Sequence, residues 1–126
     1  MPNIYFVRHL PPAEHAAFFS SSRLTLNVTR APMAQMGWCP SGRLFEAAAC
    51  GTPIVTDYWE GLETFFEPDR EILVASTAGD VVDFLSLSAE ERRRIAAAAR
   101  TRALAEHTAE DRGRQLVELL RSAPRD

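Results

Sequence analysis

Apolar positions along this chain change their period several times, and each change marks an element. The run NIYFVRHL, Asn3 to Leu10, is rich in β-branched and aromatic residues, and the Pro11-Pro12 pair closes it with a turn, which predicts a first strand. In AEHAAFFSSSR, Ala and Phe recur at helical spacing up to a serine cluster, and LTLNVT then alternates Leu24, Leu26 and Val28 with polar partners, as a strand does. About ten residues rich in Met, Gly and Pro follow and read as a loop. Helix formers run from Arg43 to Cys50, Gly51 supplies a C-cap, and PIVTD is a compact buried-strand signal. EILVAS, Glu71 to Ser76, predicts a fourth strand. Thr77 with Asp80, Ser88 with Glu91 and Thr108 with Asp111 each place a hydroxyl three residues ahead of an acid, the capping-box spacing that opens a helix. The first of these helices carries Val81, Phe84 and Leu85, the second runs through Ala and Arg to about Glu106, and the last carries Leu116, Val117 and Leu120.

Strands alternating with helices imply an α/β fold: a Rossmann-like parallel sheet with helices on both faces, here ending in a helical tail at about residues 88–122. Such sheets bind ligands at the carboxyl ends of their strands, so function is expected in the loops after Leu10, Thr29, Asp57 and Ser76. Four short strands are few for a doubly wound sheet. The expectation is one domain, 1–126, that begins partway into a larger fold with its leading strands missing.

Composition narrows the partners. At 46% hydrophobic and 25% charged, the chain has the make-up of one globular domain. A formal net charge of −3 provides no general basic field for nucleic acid or an acidic membrane surface. All 14 basic residues are Arg, a compositional bias with no functional weight. Cys39 and Cys50 lack the paired spacing of zinc sites and are expected to be reduced thiols in a cytoplasmic protein. There is no apolar run of the roughly 20 residues that cross a bilayer, and no basic-then-apolar leader.

The stretch PSGRLFEAAACGTPIVTD, Pro40 to Asp57, sets one acid, Glu46, inside an apolar helix. Desolvating a carboxylate is costly, so Glu46 either faces solvent or has something to hold. In order and spacing, Phe45-Glu46-Ala47, Ala49-Cys50-Gly51 and Pro53-Ile54-Val55 resemble the L-E-A-x-A-C-G-x-P-V-V helix of the group 1 glycosyltransferases, whose two-domain architecture is called GT-B. The similarity extends over nearly the whole chain, with SSSRLTLNVTR and the EHT helix similar to one bacterial branch.

That resemblance implies the C-terminal half of a GT-B fold, a domain that binds the nucleotide-diphosphate part of an activated sugar donor. A helix N-terminus beside a strand's carboxyl edge attracts a diphosphate, and Ser41, Gly42 and Arg43 occupy that position. Glu46 matches the second Glu of the family's E-x7-E pattern, the residue that accepts hydrogen bonds from the ribose hydroxyls. The first Glu of that pattern falls at Trp38, so the carboxylate that in the family faces the donor sugar is absent. The family's basic pair and its whole amino-terminal, acceptor-binding domain fall ahead of Asn3, which leaves most catalytic groups outside the chain and the catalytic residues unknown. A sheet edge left uncovered in this way is expected to pair, as a homodimer or otherwise.

Each candidate keeps a plainer alternative. Arg43 is either a phosphate ligand or a surface partner of Glu46 one turn on. Arg8 and His9 leave the first strand where the family contacts the nucleobase, or are simply solvated, and Arg30 after the second strand is a further phosphate candidate. DYWEGLETFF is either a sugar-facing loop through Gly61 or an aromatic lid on the core. Cys50 reads as a small core residue. No metal or other cofactor is implied, the sugar nucleotide being a substrate, because the chain has no Asp-x-Asp or His cluster. The rival readings are a non-catalytic nucleotide-binding or assembly module and a sugar-nucleotide epimerase of the same architecture.

Overall fold

A computed structural model of the protein describes residues 3–123. Its elements are α1 (Pro12–Ser21), β1 (Thr25–Asn27), α2 (Ala31–Met36), α3 (Gly42–Ala49), β2 (Ile54–Thr56), α4 (Leu62–Phe65), β3 (Leu73–Val74), α5 (Ala78–Leu85), α6 (Ala89–Glu106) and α7 (Ala109–Ser122). The three strands form one parallel sheet in the order β1-β2-β3, with Leu26 opposite Val55 and Val55 opposite Leu73.

Registered residues of parallel strands share a face, so β2 divides the core. Ile54 joins Leu44, Ala47, Ala48, Leu62, Phe66 and the α6 residues Ala99 and Ala103 on one side. Val55 joins Leu73, Ile95 and the α5 residues Val81 and Phe84 on the other. β2 is buried on both faces, which is why its sequence shows no alternation. Phe66, Leu44, Ile54, Leu62 and Ile72 are fully buried, and each contributes about 1.5–3 kcal/mol through lost apolar exposure. α6 supplies core residues to both sides, whereas α7 buries none and leaves Leu116, Val117 and Leu120 exposed.

Local signals produce the expected caps. The hydroxyls of Thr77, Ser88 and Thr108 accept from the backbone N–H of Asp80, Glu91 and Asp111, and each acid accepts in return from the cap backbone. Helix α3 ends in a Schellman turn: the Gly51 N–H donates to Ala48 at 2.9 Å and the Thr52 N–H to Ala47 at 3.0 Å, with Gly51 at φ 71°.

Two expectations are corrected. The run Asn3 to Leu10 forms no strand; Ile4, Tyr5, Phe6 and Val7 are exposed, because no neighbouring backbone ladder holds them. Part of the expected loop after Thr29 is helix α2, which Pro32 starts from its first turn and Gly37, at φ 68°, ends. Along β1 Thr25 and Asn27 are buried while Leu26 is 51% exposed; Val28, just past the strand, is 70% exposed, and Leu24, just before it, packs against the Val55 side of the core. No strand pairs with the outer edge of β1 among the described residues, and no helix covers Leu26. None of the described helices is long and apolar enough to cross a membrane.

Candidate functional site

The buried polar face of β1 leads directly to the start of α3. Asn27, only 3% exposed, donates through Nδ2 to Thr56 Oγ1 at 3.1 Å, and its Oδ1 accepts from Arg43 Nη1 at 3.4 Å. A buried amide thus anchors the first-turn guanidinium of α3 toward the carboxyl end of the sheet. The Thr29 N–H donates to Asp57 Oδ1 at 2.8 Å and ties the loops after β1 and β2 together.

Ser41 caps α3, its hydroxyl 3.4 Å from the Arg43 N–H. Gly42 holds the first helical position, where the backbone N–H has no intrahelical acceptor. A Cβ built on Gly42 would meet nothing within 4 Å, so the helix start is open to close approach. Arg43 forms no ion pair with Glu46; it turns to Asn27, and Glu46 is met instead by His15 of α1. His15 Nδ1 lies 3.1 Å from Glu46 Oε2, and His15 Nε2 lies 3.1 Å from the Leu10 carbonyl oxygen. Glu46 therefore both faces solvent, with half its side chain exposed, and has a protein partner.

These groups line an open cavity of about 830 Å³ whose walls include Arg8, His9, His15, Ser41, Arg43 and Glu46. Five of the eight residues singled out from the sequence, Arg8, His9, Ser41, Arg43 and Glu46, line it, and Gly42 lies between two of them. Two guanidinium groups and a helix N-terminus face a single carboxylate there, a balance suited to an anion with hydroxyls beside it. A smaller hollow of about 340 Å³ lies at the carboxyl ends of the strands, lined by Asn27, Thr56, Asp57, Ser76 and Thr77 among others.

Arg30 and Gly61 lie outside both hollows. The Arg30 carbonyl accepts from the Met33 and Ala34 N–H groups at the start of α2, and its side chain is exposed. Gly61, at φ 94°, is buried beneath the indole of Trp38: a Cβ added there would come within 2.6 Å of the ring. The Trp38 backbone N–H donates to the Glu60 carbonyl at 2.7 Å and ties the two loops together. In DYWEGLETFF, Trp59 and Phe66 are core residues, Tyr58 is exposed, and its phenol is pushed above its ordinary range by a hydrogen bond to Glu63 and by that carboxylate's charge.

Sequence reasoning passed over His15 and Asn27. Asn27 does carry a signal, a residue of low strand propensity between Leu26 and Val28. His15 carries none that links it to an acid 31 positions away.

A family model described as glycosyl transferase-like matches residues 2–118. The chain belongs to the glycosyl transferase-like family. Among solved structures, sucrose-phosphate synthase from Thermosynechococcus elongatus superposes with a TM-score of 0.77 at 19% identity, over 95% of this chain and 30% of that one. HepE from Anabaena, solved in complex with UDP-glucose, superposes with a TM-score of 0.69 at 17% identity, over 84% of this chain and 29% of that one. The search of curated proteins returned no match. By family and fold, the chain is a glycosyl transferase-like domain with the fold of the segments it matches in these two solved proteins. It spans about 30% of the length of these two solved proteins.

Proposed function

We propose that this glycosyl transferase-like domain binds the nucleoside-diphosphate part of a sugar-nucleotide donor in the 830 Å³ cavity at the start of α3. The observation that carries the reading is the convergence of an uncovered helix N-terminus at Ser41 and Gly42, two guanidinium groups and one carboxylate around that cavity. In this reading the Gly42 N–H and Arg43 hold phosphate oxygens, Arg8 adds charge from the facing segment, and Glu46 accepts from the ribose hydroxyls. His9, on the same wall as Arg8, lies beside the base. The domain would then stabilise the negative charge that grows on the departing diphosphate as the glycosidic bond breaks.

Transfer of a glycosyl group also needs an acceptor and catalytic groups held within a few ångströms of the donor, and in this reading both belong to a facing amino-terminal domain of a longer cytoplasmic enzyme. The same longer protein would cover Leu26 and Val28, the bare apolar strip of β1. HepE, solved in complex with UDP-glucose, makes uridine diphosphate the first nucleotide to test.

The test is calorimetric titration of the 126-residue chain with uridine diphosphate and with uridine at two ionic strengths. Tighter binding of the diphosphate, weakened by salt, is the expected result. Equal affinity for nucleotide and nucleoside removes the phosphate site. A second reading, a binding module without catalytic function, draws on Trp38, whose indole covers Gly61 and holds no carboxylate toward a sugar. Glycosyl transfer by the parent protein with its facing domain present would exclude it.

A further inference from the structure

The imidazole of His15 joins two parts of the cavity wall that are otherwise separate in the chain. One nitrogen meets Glu46 on α3 and the other meets the carbonyl of Leu10, at the end of the segment that presents Arg8 and His9. Residues 3–9 are all exposed and belong to no strand, so this contact is a principal tie of the segment's end to the body of the domain.

We propose that His15 is a positioning residue for the nucleotide: it sets the Glu46 carboxylate and the Leu10 end of the 3–10 segment so that the cavity distinguishes ribose from 2′-deoxyribose. The proposal rests on the reading that Glu46 receives the ribose. A carboxylate has two oxygens and about four acceptor positions, and His15 occupies one at Oε2. Oε1 has no protein partner among the described residues and is left for the vicinal diol. Without the imidazole, a half-exposed glutamate samples several rotamers, and the ordering that ribose binding requires is no longer supplied in advance. The ring also packs edge-on against Phe19, a core residue, with centroids 6.2 Å apart, which limits its swing.

The experiment measures the affinity of the 126-residue chain for uridine diphosphate, 2′-deoxyuridine diphosphate and inorganic pyrophosphate in four forms: unaltered, His15→Ala, His15→Asn and Glu46→Gln, with the double variant carrying both His15→Ala and Glu46→Gln closing the cycle. The unaltered chain should favour the ribonucleotide, and His15→Ala should reduce that preference roughly five- to tenfold, the scale of one ordinary hydrogen bond. Pyrophosphate affinity should not change, which also shows that the altered chain is folded. His15→Asn, whose amide stands near the place of Nδ1, should recover most of the preference. In the Glu46→Gln background His15→Ala should have little further effect, because the two act through one carboxylate. If Glu46→Gln removes the ribose preference and His15→Ala leaves it intact, the donor reading stands and the role of His15 is refuted. If the unaltered chain shows no ribose preference, or Glu46→Gln does not alter it, both are refuted.

Discussion

Replacing Gly61 by Ala tests the packing of the Trp38 indole over the loop that leads into α4. The backbone at Gly61 has φ 94°, a left-handed conformation that costs an L-residue about 1–2 kcal/mol. The new Cβ would also lie 2.6 Å and 2.7 Å from two atoms of the Trp38 ring, closer than carbon atoms approach in folded proteins. The Trp38 backbone is fixed, its N–H donating to the Glu60 carbonyl at 2.7 Å and Gly37 packing against Glu60, so the exposed indole relieves the contact only by swinging off Gly61 toward solvent. Overpacking of this kind adds about 1–3 kcal/mol, so Gly61→Ala should cost about 2–5 kcal/mol in all. In a Trp38→Ala background the clash is gone and only the backbone cost of about 1–2 kcal/mol should remain. Urea unfolding followed by far-ultraviolet circular dichroism on the four chains of this cycle gives the difference directly. An equal loss from Gly61→Ala with and without the indole would refute the contact.

Two further outcomes follow from the caps and from β1. Asp80 is held below its ordinary carboxylate range by backbone hydrogen bonds from Thr77 and Ser76, and Glu91 and Asp111 by hydrogen bonds from the Ser88 and Thr108 hydroxyls and backbone. The folded chain thus binds these protons less tightly than the unfolded chain, so the stabilisation is complete above about pH 5 and is lost as pH falls through the lowered values. Thermal melts should drop on acidification below that range, and Asp80→Asn with Glu91→Gln should flatten the drop; an unchanged slope would contradict it. The unpaired edge of β1, with Leu26 and Val28 exposed, should make the isolated chain sediment partly as a dimer, and Leu26→Lys should make it monomeric. A strictly monomeric unaltered chain at all concentrations would refute pairing through that edge.

Much of the fold was legible because its signals are local. A hydroxyl three residues before an acid suffices to place the starts of α5, α6 and α7, and Gly51 alone marks the end of α3. Strands are less readable, since a strand exists only beside a partner. Asn3 to Leu10 has the composition of one and no ladder to join, and β1 keeps its alternation but turns Thr25 and Asn27 inward, where Asn27 meets Thr56 and Arg43. At the candidate site, the α3 motif shows Ser41, Arg43 and Glu46 as a group. His15 comes to Glu46 only through the packing of α1 against α3, and no spacing in the chain foretells that. Pro32 counts with Met and Gly as a loop signal in the sequence, yet at the first turn of α2 its fixed φ suits a helix start.

The central claim is that Glu46 holds the ribose of a nucleoside diphosphate, and isothermal calorimetry on Glu46→Ala with uridine diphosphate tests it most directly. Removing a charged acceptor from its hydroxyl partners should weaken binding by about 1–3 kcal/mol, or about five- to 150-fold. Pyrophosphate affinity, which depends on Gly42 and Arg43, should stay as it is. An unchanged affinity for uridine diphosphate, with the circular dichroism spectrum of a folded chain, would contradict the account and leave Glu46 as a surface acid paired with His15.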